Sequence, residues 1–330
     1  MFYEERPRQR GRRRRGGIIR FLLRLLFKLL ALLLVAAAVA YALPVGLFLI
    51  DSESSFSPAA GLKSSRINVL LLGVDVESQD AQRSDTIIVA SIGYNTCRLT
   101  SVMRDTVADI PGHGKQKINA AYNYGGAALT AQTLNRNFGL NITKYVVIDF
   151  IALAEILNAM GGVDVRITRA EQDEINENMK SAWRKVFSKA GYDPSVTGFL
   201  DLDFSGADAD GCVCARLDGF QALNYARIRK LDSDYTRTYR QRKLISAIVQ
   251  RAKSVWYNPV AIVRVIKQLS RRLVTNLNPL EIVSLALKVV FSQPDGLRLP
   301  VDGTYTDDGS SLSNVDYAAN LEAFKKFVYD

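Results

Sequence analysis

The chain has 330 residues, 48% of them hydrophobic and 23% charged, with a formal net charge of +10 at pH 7. That basicity suggests nucleic acid until it is located: residues 1–28 hold ten Lys/Arg against Glu4 and Glu5, an excess of +8, so the remaining chain is close to neutral. Three cysteines are too few for a disulfide scaffold, and a single histidine, His113, argues against zinc motifs and a hydrolase triad.

The basic tail (1–28) carries Arg12-Arg13-Arg14-Arg15, then Arg20, Arg24 and Lys28, and runs straight into an uncharged segment, Leu29 to Ile50. Its 22 residues suffice to cross about 30 Å of hydrocarbon as a helix. Positive charge on the amino-terminal flank predicts a single-pass cell-membrane protein, with a cytoplasmic amino terminus and an extracellular domain. Small residues at Ala36-Ala37-Ala38-Val39-Ala40 also suit a cleavable signal peptide. Cleavage there would expose the apolar stretch 41–50, which favours an uncleaved anchor over 29–50. Residues 51–65, rich in Ser, read as a linker, and 66–330 as the external domain.

Within that domain strand and helix patterns alternate. Ile67–Leu72, Thr86–Ile92, Arg98–Met103 and Tyr145–Ile148 are short apolar runs bounded by Gly, Asp or Asn. Helical spacing is predicted over Ala127–Phe138, Ile151–Met160 (stopped by Gly161-Gly162), Glu171–Ala190, Gly219–Ala226, Arg237–Val255, Pro259–Leu273, Pro279–Phe291 and Val315–Tyr329. Continuously apolar strands alternating with helices predict an α/β fold, layered α/β/α around a central mixed sheet, with active-site residues beyond the strand ends.

That is where the charges fall. Asp75 closes the first apolar run, Arg83-Ser84-Asp85-Thr86 opens the next, and Met103-Arg104-Asp105-Thr106 ends a third. Downstream come Arg227-Ile228-Arg229, Asp232-Ser233-Asp234-Tyr235-Thr236-Arg237 and Arg240-Gln241-Arg242. Guanidinium forks match phosphate oxygens, and paired carboxylates hold a hard divalent cation. The pattern points to chemistry on a pyrophosphate.

These residues resemble the LytR-CpsA-Psr family of cell-envelope phosphotransferases. The motifs carrying the likeness are I-N-V-L-L-L-G-V-D, R-S-D-T, V-M-R-D-T, K-I-N-A-A-Y-N-Y-G-G (Lys117 to Gly126), A-M-G-G-V-D-V, A-L-N-Y-A-R-I-R and D-S-D-Y-T-R-T-Y-R-Q-R, spread over about residues 66–255. The resemblance implies transfer of a glycopolymer (a teichoic acid, capsule or similar polysaccharide) from a polyprenyl-pyrophosphate carrier onto peptidoglycan through a phosphodiester. It implies Mg2+ or Mn2+ on Asp75 and Asp85, a head-group site of Arg83, Arg104, Arg227, Arg229, Arg237 and Gln241, and an apolar tunnel for the lipid tail. Asp75, Arg83, Arg104 and Asp234 are the catalytic candidates, with Asp75 or Asp234 accepting the proton of a sugar hydroxyl. Thr236 departs from the family, where many members have Gly before this arginine.

Asp105 reads as a partner orienting Arg104, and Lys117 and Asn119 as structural supports beneath the site. At most one of Arg240 and Arg242 is expected to reach it. Tyr122 and Tyr124 are expected to pack, Asp164 to start a strand or turn, and the acidic loop Asp201–Asp210 to face solvent. Two alternative readings stand beside the transferase: a polyprenyl-pyrophosphate pyrophosphatase using the same site, and a non-catalytic envelope or transcriptional regulator, a role for which some relatives of the family it resembles were first named. The tail lacks a helix-turn-helix and adjoins an apolar span, so no nucleic-acid partner is expected.

Overall fold

In the computed structural model the described residues are 49–50, 66–74, 84–180, 198–228, 231, 234–255 and 258–330. A seven-stranded mixed sheet forms the frame, in the order β1 (Leu49–Ile50), β10 (Leu273–Thr275), β7 (Ile142–Asp149), β2 (Ile67–Val74), β3 (Ser84–Ile92), β4 (Cys97–Val102) and β11 (Pro294–Leu299), and β5 (Val107–Ile110) pairs with β6 (Gly114–Lys117) apart from it. The central strands of the sheet are β7, β2, β3 and β4. β7 and β2 run parallel, whereas β2, β3 and β4 are antiparallel neighbours. The outer strands are β11 (Pro294–Leu299), parallel to β4, and β10 (Leu273–Thr275), antiparallel to β7.

The sheet is covered on both faces, as the uninterrupted apolar runs require. On one face, Leu70, Leu72 and Val74 of β2 meet Ala131, Leu134 and Phe138 of α1 (Ala120–Phe138) and Phe324 and Val328 of α8 (Tyr317–Tyr329). On the other, Val69, Ile88 and Leu99 pack against Ile245 of α5 (Asp234–Val255) and Ile282 and Leu285 of α7 (Pro279–Val290). The expected α/β/α layering is therefore present. α1 is interrupted at Gly125 and Gly126, the latter at φ 60°, so the Tyr-Gly-Gly motif kinks the helix.

A second core lies beside the layers. It joins α2 (Phe150–Ala159), the antiparallel pair β8 (Val163–Thr168) and β9 (Cys212–Leu217), α3 (Arg169–Lys180) and α4 (Gly219–Ala226). Gly161 and Gly162, both at positive φ, turn the chain from α2 into β8 as the helix-stop pattern predicts. α4 approaches α2 so closely that a Cβ on Gly219 would sit 2.0 Å from the Ala154 carbonyl oxygen. Helix α6 (Pro259–Arg272) completes the path, packing on α2 and leading into β10.

Some boundaries differ from those read in the sequence. Leu49–Ile50 forms β1, a short edge strand parallel to β10, so the last two residues assigned to the span 29–50 belong to the sheet. The 51–65 linker, residues 29–48 and the tail lie outside the described residues, as does the end of the helix expected over Glu171–Ala190. The three cysteines are free: Cys97 is buried, while Cys212 and Cys214 alternate along β9.

Candidate active site

The motifs converge at one end of the sheet. β2 register places Gly73 beside Thr86 of β3 on one side and Ile148 of β7 on the other. Asp85 follows as the second residue of β3. Its carboxylate accepts from Arg104 Nη1 at 2.9 Å, and Arg237 Nη2 lies 3.6 Å from its other oxygen and donates to its backbone carbonyl at 3.3 Å. The three side chains are 18%, 22% and 4% exposed, so the charges are largely withdrawn from water and their attraction is poorly screened.

Arg104 is held by the turn after β4. Thr106 hydroxyl and amide both donate to the Met103 carbonyl, and Met103 N donates to Leu299 O of β11. Asn119 N donates to Arg104 O, Ile118 N to Thr106 O, and Leu312 N to Asp105 O. Asp105 then ties the guanidinium from the side, with Arg104 Nε at 3.2 Å and Lys117 Nζ on its other oxygen at 3.0 Å. The orienting role of Asp105 and the supporting roles of Lys117 and Asn119 thus follow from one braced turn.

Helical spacing selects what α5 delivers. Arg237 and Gln241, four residues apart, lie on one face and line a narrow cleft with Thr238, Asp85, Arg104 and Met103. Thr236 stands in the first turn of α5 without preventing Arg237 from reaching Asp85. Arg240 points elsewhere, its Nε 2.8 Å from Glu171 of α3. Arg242 packs over Gly296 of β11, near Arg298, and burial with that second cation lowers its pKa. The two flanking arginines thus lead to Glu171 and to β11, in keeping with the expectation that at most one reaches the site.

Arg227 caps the end of α4, and its guanidinium lies 4.4 Å from the Phe150 ring centroid. Phe150 in turn reaches the Gly73 position, where a Cβ would find its ring edge at 3.6 Å, so Arg227 belongs to the same sheet end. Phe150 was missed in the sequence, where an aromatic residue after an apolar strand reads as core. Asp75, Arg83 and Arg229 lie outside the described residues. Asp234 opens α5, three residues before Arg237.

Tyr124 does not pack as expected: it is 41% exposed, stacks on His113 at 4.0 Å and donates to Gln116. Tyr122 packs against the main core, Asp164 of β8 pairs with Arg216 of β9, and Asp208 and Asp210 face outward onto Arg166. Among the described residues no group of three His, Cys, Asp or Glu gathers as a cage. Asp85 nevertheless supplies a hard oxygen at the centre of the site. That donor fits a magnesium-type ion, which binds through one or two carboxylates together with substrate phosphates.

The fold and this cluster define a class: a layered α/β domain with a guanidinium-rich, carboxylate-centred anion site. The chain belongs to the LytR_cpsA_psr family, which it matches over residues 50–326. It is 36% identical over 219 residues to the "Polyisoprenyl-teichoic acid--peptidoglycan teichoic acid transferase TagU" of Enterococcus faecalis, covering 62% of each chain. It is 28% identical over 285 residues to TagV of Bacillus subtilis, a transferase of the same description, covering 82% of this chain and 65% of that one. The alignments thus span somewhat less than two thirds of these relatives' lengths. Among solved structures, TagT with bound octaprenyl pyrophosphate lipid has the same fold, with a TM-score of 0.56 and 21% identity over 84% of this chain and 94% of that one. "TagT bound to LI-WTA" gives a TM-score of 0.61 at 23% identity, covering 85% and 97%.

Proposed function

We propose that this protein transfers a teichoic-acid-like or capsular glycopolymer from a polyprenyl-pyrophosphate carrier to peptidoglycan, forming a phosphodiester. The observation that carries the reading is Asp85 held between Arg104 and Arg237, with Gln241 alongside, at the sheet end where Arg227 also converges.

The reaction needs an acceptor sugar hydroxyl to attack the phosphorus bearing the glycan, while the bond from that phosphorus to the bridging oxygen breaks. Negative charge grows on the departing polyprenyl phosphate. Arg104 and Arg237 are already fixed by packing and ion pairs, so they can stabilise that charge with little reorganisation. In the resting site they neutralise Asp85; pyrophosphate oxygens arriving as bidentate partners would compete for the same donors. Arg227 would extend the cradle and Gln241 would add a neutral amide, while the family motifs name Arg83 and Arg229 as further guanidinium groups for the head group. Asp75 and Asp234 are the two carboxylates available to take the hydroxyl proton. Mg2+ or Mn2+ would be held by Asp85 and Asp75, and when bound would neutralise phosphate charge. An anchor over residues 29–48 would keep the domain at the outer face of the cytoplasmic membrane, where such a carrier resides.

The test uses the full chain in detergent with a short synthetic polyprenyl-pyrophosphate glycan. Polyprenyl phosphate release is followed with Mg2+ and peptidoglycan fragments each supplied or withheld. Release coupled to labelled peptidoglycan is expected, and Arg104→Ala should lower its rate by about a hundredfold or more. Metal-dependent release without acceptor labelling would replace the transferase with a pyrophosphatase; full activity in Arg104→Ala would refute the assigned site.

A further inference from the structure

Helix α6 has a surface that the reaction does not use. Val260, Val263, Arg264 and Lys267 follow the i, i+3, i+4, i+7 spacing of one helical stripe and all four are exposed, the valines by 57% and 50%. Ala261, on the other side, is buried where α6 packs on α2. β-branched residues are a poor choice for a water-facing helix position, so two of them beside two cations describe an amphipathic surface facing something other than water. Charge sharpens the point: from Tyr235 to Leu280 the sequence holds ten Lys/Arg and no Asp or Glu. Arg237 and Arg240 are buried, whereas Arg264 and Lys267 of α6 are exposed.

Topology says what lies opposite. α6 runs directly into β10, and β10 pairs in parallel with β1, Leu49 beside Val274. The chain therefore arrives from its uncharged segment 29–48 next to the carboxyl end of α6. Leu273 of β10 is registered with Ile148 of β7, and Ile148 with Gly73 of β2. Gly73 is registered with Thr86, adjacent to Asp85. Chain arrival, the end of α6 and the Asp85 cluster thus share one end of the sheet.

We propose that α6 is a second membrane contact: its Val260–Lys267 stripe rests on a bilayer surface of anionic phospholipid and turns the Asp85 end of the sheet toward the headgroups. This rests on the anchor reading of residues 29–48, but adds an orientation that a tether alone does not impose. Valines seated at the acyl boundary and cations among anionic headgroups would make the contact dependent on lipid charge and weakened by salt.

The experiment uses the full chain with half-buried Cys212 and exposed Cys214 replaced by serine and a single Val263→Cys label carrying an environment-sensitive fluorophore. A Tyr94→Cys label is the control, because Tyr94 is 87% exposed in the turn between β3 and β4 at the opposite end of the sheet. Both proteins are reconstituted into phosphatidylcholine vesicles with or without phosphatidylglycerol, containing a headgroup spin-labelled lipid as quencher. Quenching several-fold stronger at 263 than at 94 in the anionic vesicles is expected, falling toward the control level in Arg264→Glu/Lys267→Glu. Equal quenching at the two positions, or indifference to both lipid charge and the double substitution, overturns the proposal. Flotation with neutral vesicles reports the anchor separately. A chain that fails to float refutes the anchor, and the same 263-against-94 comparison with added anionic vesicles still decides the role of α6.

Discussion

Asp85 gathers two guanidinium groups at one end of the sheet. It pairs with Arg237, a guanidinium only 4% exposed, and it also holds Arg104. Removing one member of a buried pair leaves the other charge uncompensated, at a cost of about 3–5 kcal/mol when burial is complete and less here, where Asp85 retains some solvent access. Asp85→Ala should therefore lower the melting temperature of the chain. Saturating inorganic pyrophosphate should stabilise the variant, because phosphate oxygens can occupy the guanidinium donors that the carboxylate vacates. Thermal unfolding with and without pyrophosphate measures this, and a variant that gains nothing from the anion would argue that these arginines do not bind phosphate.

Cys97 supplies a second test at this scale. Burial in the sheet pushes its thiol up from an ordinary 9.0 to about 11, against a smaller opposing influence of Arg66. Since the thiolate is the reactive form, Cys97 should resist alkylation at mildly alkaline pH while exposed Cys214 reacts. The folded-state pKa is raised, so the associated stability is fully present below about 9 and is lost as pH rises through about 11. Mass spectrometry of iodoacetamide-treated protein across that range would read the order of labelling; early modification of Cys97 in the folded chain would contradict the assigned burial.

At the scale of elements, the site depends on contacts far from phosphate. Arg227 is positioned by α4, and α4 is set against α2 by the absence of a side chain at Gly219. A Cβ there would collide with backbone, at 2.0 Å from Ala154 O, and backbone cannot rotate aside as a side chain can. Gly219→Ala should destabilise the fold by about 3 kcal/mol through overpacking and impair transfer more than a surface substitution of equal size. Calorimetry together with the release assay would test it; wild-type values in both would mean that the two helices are free to separate. The same scale explains which arginines of Arg240-Gln241-Arg242 matter. Three consecutive helical positions point in three directions, one to Glu171, one into the Asp85 cleft and one to β11.

Over the whole molecule, charge is partitioned by role. The cations of the tail precede an apolar segment, Arg237 and Arg240 of α5 are buried at the site or its supports, and Arg264 and Lys267 of α6 are exposed. A net charge of +10 thus describes no single binding face. The second core around β8 and β9 adds a further lesson. Its strands read as Val-Asp-Val-Arg-Ile-Thr and Cys-Val-Cys-Ala-Arg-Leu, alternating patterns suited to a two-stranded ribbon with one wet face, and they are separated by more than forty residues of sequence. Short-range pattern can suggest each strand but cannot pair them.

The layered α/β class, the central strands and most helices are legible in the sequence alone, because apolar period is a local property; the grouping of Asp85, Arg104, Arg237 and Gln241 in one site is implied there only by the family motifs. Tertiary structure decided which arginines face Asp85, that Phe150 carries Arg227, and that Lys117 braces Asp105. It also placed Leu49–Ile50 on the sheet edge, where local hydropathy reads only as the end of an apolar run. The reason is common to all four: each depends on partners distant in the chain, and register and helix packing, not composition, choose them.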